Sequence, residues 1–335
     1  MNPHYRHGNQ TPWGGSELRD LYQRRIPDDR TGESLEVSAL PGMASTVMNG
    51  ALSGMSLIDA IAQWGDGLTG PMKGAFPLLL KLIDAREQLS LQVHPGDDYA
   101  GAHENGKLGK TEAWVLLNAP KDARLVYGVN ATREQLAKAV ADGQLESALR
   151  YVPVQAGDVL YIPHGMVHAL GDGIQIYEIQ QSSDVTYRFW DWGRVGLDGQ
   201  PRQLHMEQAL DVTDPDLRLD KLQGVQLPTE GGEMTIYIAD AHFALWRLAV
   251  DGTMPLPSGQ MLFVTPLTPC ELCWGDGQRM QLGMMQTVLI PAALKEVSLV
   301  GQADVLMSGT PDQDALRNQL GARASEVAGL TDEQK

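Results

Sequence analysis

The hydrophobic positions of this chain fall mainly in short runs bounded by glycine and proline, the pattern of strands separated by tight turns. Phe76 to Ile83, Leu89 to Val93, Ala113 to Asn118, Arg124 to Gly128, Val152 to Pro163 and Ile174 to Gln180 predict strands. Two segments carry a helical period instead. Ser56 to Trp64 opens on an N-cap serine with an acid three residues on, and sets Leu57, Ile61 and Trp64 on one face. Thr132 to Arg150 opens on a Thr-x-x-Gln capping box and is interrupted at Asp142-Gly143. The rest of residues 1–75 reads as short helical and irregular pieces. The pattern changes after Asp211 to Asp216, and residues 230–308 give further short strands, such as Met234 to Ile238 and Phe243 to Leu248. Residues 310–335 are polar, with one amphipathic helix and an acidic end expected to fray.

Composition supports this division. With 335 residues there is length for about two domains, and 36 glycines with 19 prolines suit a turn-rich β fold over a helical bundle. One internal echo points the same way. Thr287 to Glu296 repeats Val159 to His168 at an offset of 128, keeping the strand and its proline but not the glycine or the histidine. Only one histidine, His242, follows His205. A second barrel of similar build without a metal is the reading this suggests.

The net charge of −16 repels nucleic acid and anionic membrane surfaces, so neither is an expected partner. An anionic substrate would need a local cluster of Arg or Lys. No apolar leader or long apolar span is present, and Cys270 and Cys273 are the only cysteines, which together suit a reducing cytoplasm. The Cys-x-x-Cys spacing has no second pair and no helix start after it. It reads as two ordinary buried thiols.

The candidate chemistry begins at Gly157 to His168, where a strand ends at Pro163, turns at Gly165 and presents His168. An antiparallel barrel aims an imidazole at a metal in this way, and the metal then needs further nitrogen or oxygen ligands. Side chains alternate along a strand, so Gln92 and His94 share one face, and Lys110 and Glu112 share another. Two imidazoles, a carboxylate and an amide oxygen make a mixed set that suits Zn²⁺ and leaves a position open. Taken singly, a strand histidine is more often a hydrogen-bonded core residue, and Glu112 a solvated acid. His164 lies near the same turn but points the other way, as a rim residue. Arg188 and Arg194 stand among aromatic residues, and guanidinium forks near a metal mouth suggest a phosphorylated ligand.

These blocks together resemble a known family. Gly157-Asp158, Pro163, Gly165 and His168 are similar to the second cupin motif. Trp13-Gly14-Gly15, Gly32 to Ser38, Phe76 to Lys81 with Gln92 to Pro95, Gly109 to Glu112, and Glu178 to Gln181 with Tyr187-Arg188 resemble type I mannose-6-phosphate isomerase in its short bacterial form. The likeness is dense over residues 10–200. It departs in lacking an apolar lead-in before Trp13, in carrying Leu35 where the family often has Trp, and in the 17 residues between His94 and Glu112, which a general cupin motif lacks.

The resemblance implies a mainly β fold of two cupin (jelly-roll) barrels with helical insertions in the N-terminal part. Residues 1–228 would form the catalytic metal-binding domain, 229–310 a second, metal-free cupin-like domain, and 311–335 a polar tail. It implies a cytoplasmic enzyme with one Zn²⁺ per chain that interconverts mannose 6-phosphate and fructose 6-phosphate through a cis-enediol. Gln92, His94, Glu112 and His168 would hold the zinc, Arg188 and Lys110 would be catalytic, and Ser90 and Arg194 would face the phosphate. An isomerase or epimerase of another sugar phosphate, and a metal cupin that only senses one, are the alternatives.

Overall fold

The computed structural model describes residues 1–71 and 74–330. They form a mainly β protein of antiparallel sheets. In chain order the strands are β1 (His4–His7), β2 (Thr31–Val37), β3 (Leu78–Ala85), β4 (Leu91–Val93), β5 (Glu112–Asn118), β6 (Arg124–Val129), β7 (Leu149–Pro153), β8 (Val159–Ile162), β9 (His168–Ala169), β10 (Ile174–Gln181) and β11 (Tyr187–Trp190). They continue as β12 (Val225–Thr229), β13 (Gly232–Ala239), β14 (Ala244–Pro255), β15 (Leu262–Pro266), β16 (Cys270–Trp274), β17 (Gln278–Leu282), β18 (Val288–Ile290) and β19 (Ser298–Gly309). The chain divides into two compact units, one of residues 1–4, 35–80 and 222–335, the other of 5–34 and 81–221.

The unit of residues 5–34 and 81–221 draws on two sheets, ordered β1-β2-β3-β10-β5-β8 and β11-β4-β9-β6-β7. Alternation along the strands decides what each face carries. Ile83, Leu116, Leu160 and Ile176 from the first sheet join Leu125 and Tyr127 from the second in one apolar core. The opposite face of the second sheet gives Leu91, Val93, Val126, Val129 and Phe189 to another core, covered by Leu136 and Ala209 of the helices Arg133–Ala141 and Met206–Val212.

The first helix starts at the expected box: Thr132 Oγ1 accepts from the Gln135 backbone, and Gln135 Oε1 accepts from the Thr132 backbone. It ends at Ala141, before Gly143 at φ 69°. The expected strand from Val152 to Pro163 is two strands, because the chain turns at Gly157, where φ is 91°. β2 falls in a region read as irregular. All seven of its residues are buried, Glu33, Ser34 and Glu36 among them, so no apolar pattern marks it.

The other unit packs β12 to β19 around a core that includes Trp246, Leu248, Leu262, Val264, Ile290, Leu299 and Val305. Ser56 Oγ accepts from the Asp59 backbone to cap the helix Leu57–Trp64, which buries Leu57 and Ala60 but leaves Trp64 42 % exposed. Residues read as a polar tail contribute Leu316, Leu320, Val327 and Leu330 to the core. The acidic end expected to fray, residues 331–335, lies outside the described residues. Cys270 and Cys273 are free thiols on β16, and their odd spacing puts them on opposite faces of the strand, so Cys270 is buried as expected while Cys273 is only half-buried.

Candidate metal centre

Four short pieces of backbone bring the site together between the two sheets of one unit. β4 carries Gln92, which pairs with His168 of β9 and with Arg188 of β11. Glu112 opens β5, in register with Ile162 of β8 and Gln180 of β10. His94 follows β4 directly. Gly165, at φ 84°, turns the chain after Pro163, and its N–H donates to the His94 carbonyl at 2.9 Å. A side chain there would crowd the Val212 carbonyl at 3.2 Å, so the turn that delivers His168 needs glycine. Gly109 has a similar task. A Cβ on it would lie 2.5 Å from the Gly96 backbone, and this close approach lets the Lys110 N–H reach the Pro95 carbonyl at 3.0 Å.

Donor atoms of His94, Glu112 and His168 lie within 4.8 Å of one another, and all three side chains are buried. Both imidazoles are oriented from behind. His94 Nδ1 donates to the Val185 carbonyl and His168 Nδ1 to the Met166 carbonyl, each at 2.9 Å. A carbonyl can only accept, so each Nδ1 holds the proton and each Nε2 turns a lone pair toward Glu112. Those Nε2 atoms stand 3.7 and 3.2 Å from the carboxylate oxygens. Glu112 Oε1 receives no hydrogen bond although it is buried. Two lone pairs facing a carboxylate call for a cation, and the residues therefore fit a metal ion.

Positive charge already enters from Lys110, whose Nζ contacts Glu112 Oε2 and lies 3.1 Å from His94 Nε2. Burial would raise the Glu112 pKa, but the Lys110 ammonium, first of the opposing influences, holds the carboxyl well below its usual range. Burial, with Lys110 next, pushes His94 well below the ordinary histidine value and keeps it neutral.

Gln92 Nε2 donates to His168 Nε2 at 3.2 Å, and Ser90 Oγ donates to Gln92 Oε1 at 3.3 Å. Arg188 Nε donates to Ser90 Oγ at 3.2 Å, so Ser90, Gln92 and Arg188 form one line beside the histidines. Burial, followed by the Arg202 guanidinium, lowers Arg188 to about 10, and it stays protonated at neutral pH. Arg194 makes its contacts elsewhere, with the Gln88 carbonyl, Glu87 and Asp191. His164 is exposed.

The spacing arguments missed a buried charged row that continues from the site. Trp114 Nε1 donates to Glu178 Oε2 at 2.8 Å, and its ring meets His168 edge-on at 5.4 Å. Lys81 Nζ is 3.2 Å from Glu178 and 3.9 Å from Glu33, which also pairs with Arg6 at 3.0 Å. The signal available was a charged residue flanked by apolar ones inside a strand, as at Lys81 between Leu80 and Leu82 and at Glu178 between Tyr177 and Ile179.

Comparison with known proteins agrees with this geometry. The family model described as phosphomannose isomerase type I, catalytic domain, matches residues 5–147. The mannose-6-phosphate isomerase of Streptococcus mutans is 35% identical over 307 residues, covering 88% of this chain and 94% of that protein. The mannose-6-phosphate isomerase ManA of Bacillus subtilis is 35% identical over 304 residues, with the same coverage. A crystal structure of the mannose 6-phosphate isomerase from Bacillus subtilis superposes with a TM-score of 0.85 at 30% identity, covering 92% of this chain and 99% of that one. On both sequence and structure, this chain belongs to the type I mannose-6-phosphate isomerase family.

Proposed function

We propose that this chain interconverts mannose 6-phosphate and fructose 6-phosphate at one zinc-loaded centre, through a cis-enediol. The observation that carries the reading is the meeting of His94, Glu112 and His168 with both Nε2 lone pairs turned inward. Gln92 is the fourth candidate ligand, by its amide oxygen once the amide turns over, since its Nε2 now faces His168 and its Oε1 faces Ser90. Imidazole and carboxylate donors without a thiolate favour Zn²⁺ over softer metals. When bound, zinc supplies Lewis-acid stabilisation for negative charge on the sugar oxygens.

The chain's own groups do the rest. Arg188 is held protonated beside Gln92 and would steady the oxygen charge that builds as the C2 proton leaves. Lys110 Nζ, within reach of both His94 and Glu112, is placed to exchange a proton with the sugar oxygens. Ser90 and Arg194 are the candidate phosphate holders, Arg194 only after its guanidinium leaves the Gln88 carbonyl. Holding the phosphate converts remote binding into alignment of C1 and C2.

We read the two antiparallel systems as cupin jelly-roll barrels, with the catalytic one inside residues 1–228 and a metal-free one in 229–310. Every candidate ligand falls in the first span, and the strand and proline of the second lack a histidine. A substrate of this class places the enzyme in the cytoplasm. Among the described residues no helix is long and apolar enough to cross a membrane.

The test is proton NMR of mannose 6-phosphate in D₂O with the purified protein, before and after chelation and after zinc is restored. Expected are growth of fructose 6-phosphate signals, deuterium at the transferred position, and loss of both with chelator. Absence of conversion by metal-restored protein would overturn the proposal. Glucose and ribose phosphates run in parallel set the substrate range.

A further inference from the structure

Arg188 is held by a segment that scarcely packs. From residue 192 to residue 208 no side chain is fully buried, and Leu197 and Leu204 are 55 % and 44 % exposed. The same segment nevertheless returns to the arginine at three points. Arg188 Nη1 donates to the Gln203 carbonyl at 2.8 Å. The His205 backbone N–H donates to the Arg188 carbonyl at 2.8 Å, and the Arg188 N–H donates to His205 Nδ1 at 3.3 Å. Trp192 and Met206 rest against the apolar core at the two ends of the segment, so between them polar contacts fix where the return toward Arg188 lies.

The strongest of those contacts is a fork-to-fork pair immediately before the return. Arg202 Nε donates to Asp191 Oδ2 at 2.7 Å and Arg202 Nη2 to Asp191 Oδ1 at 2.5 Å. Asp191 is buried and follows β11, three residues after Arg188. Two parallel bonds set both distance and plane, so the pair closes the loop at one register and leaves Gln203 and His205 facing Arg188. On the other side of the segment lies a cleft of about 590 Å³, lined by Trp190, Leu204 and Met206 together with Leu145 and Phe189.

We propose that Arg202, through its paired bonds to Asp191, is a positioning residue that sets the guanidinium of Arg188 in the active site. The inference rests on the reading of Arg188 under Proposed function. A guanidinium misplaced by an ångström loses alignment with the developing charge while substrate can still bind, so the effect falls on turnover more than on KM.

The test compares Arg202→Ala, Arg202→Lys, Arg188→Ala and the double variant, each in the metal-loaded protein. Arg202→Ala is expected to lower kcat roughly 10- to 100-fold with KM changed less than about threefold and metal content close to wild type, while the thermal midpoint falls because the buried Asp191 loses its paired bonds. Arg202→Lys, which restores one of the two bonds, should recover part of the loss. Adding Arg202→Ala to Arg188→Ala should cost almost nothing further, because both act on one group. Should Arg202→Ala fold poorly, the lysine variant and its double with Arg188→Ala carry the same comparison. An unchanged kcat in the Arg202 variants, or an equal further loss in the double variant, would overturn the inference. Inactive wild-type protein would instead overturn the isomerase reading itself.

Discussion

Two strands that end alike show how little local sequence separates a metal centre from a dry core. β8 runs into Pro163 and β18 into Pro291. Opposite Ile162, the last residue of β8, stands Glu112; opposite Ile290, the last of β18, stands Leu262. Past the first proline, Gly165 turns with φ 84° and delivers His168, which is fully buried. Past the second, the positive φ falls at Glu296, whose side chain is exposed. Burying a leucine stabilises by roughly 1.5–3 kcal/mol without partners. A buried carboxylate is destabilising unless cations and hydrogen bonds surround it, so Glu112 brings the Lys110 ammonium with it, and the two histidine lone pairs beside it leave room for a metal cation to supply the rest. The register partner and the turn glycine distinguish the two regions, and the strand itself does not.

The sharpest break of this comparison is His168→Ala. Metal content should fall to background and isomerase activity by about 10⁴-fold or more, with far-UV circular dichroism close to wild type. Retained metal by atomic emission would remove His168 from the ligand set. Arg188→Ala sharpens the contrast from the other side, keeping the metal while lowering kcat about 10²–10³-fold, the cost of one donor to developing oxygen charge. On the dry side, Leu262→Ala should cost about 3 kcal/mol in urea unfolding, since it leaves a cavity in a packed core. Its metal content should stay at wild-type level. If Leu262→Ala released metal, the two regions would be coupled in a way their separate cores give no reason to expect.

How much of this could be read from residues alone follows the same physics. Strands with one apolar face announced themselves, as β3, β5 and β10 did, and the Thr132 capping box marked the start of its helix, though the helix stops at Ala141 and the expected stretch to Arg150 ends in β7. Period-two spacing was enough to pair Lys110 with Glu112 on one face, and the structure brings both to His94. β2 gave no such signal, because a strand that buries Glu33, Ser34 and Glu36 has no hydrophobic pattern to read. Lys81 and Glu178 stand out as charges between apolar neighbours, but their partners lie far along the chain and only the sheet order brings them together. The Asp191–Arg202 pair joins residues across an exposed loop, where no periodicity operates.

The smallest effect concerns that hidden charged row. Burial would raise the Glu33 pKa, but Lys81, Arg6 and Lys110 outweigh it and leave the carboxyl below its ordinary value. A carboxyl with a depressed folded pKa releases its proton more readily folded than unfolded. The stability it contributes is present above the unfolded value of about 4.3 and is lost as pH falls through the folded value. Glu33→Gln keeps the size and removes the titration. The unfolding free-energy difference between wild type and Glu33→Gln should therefore be constant, on the order of 1 kcal/mol, from pH 7 to 5, and shrink below about pH 4.3. Urea titrations at pH 7, 5, 4 and 3 would measure it. A difference that held the same value at every pH would mean that Glu33 is valued for packing alone, and that the charged row has no electrostatic part in holding the catalytic sheet.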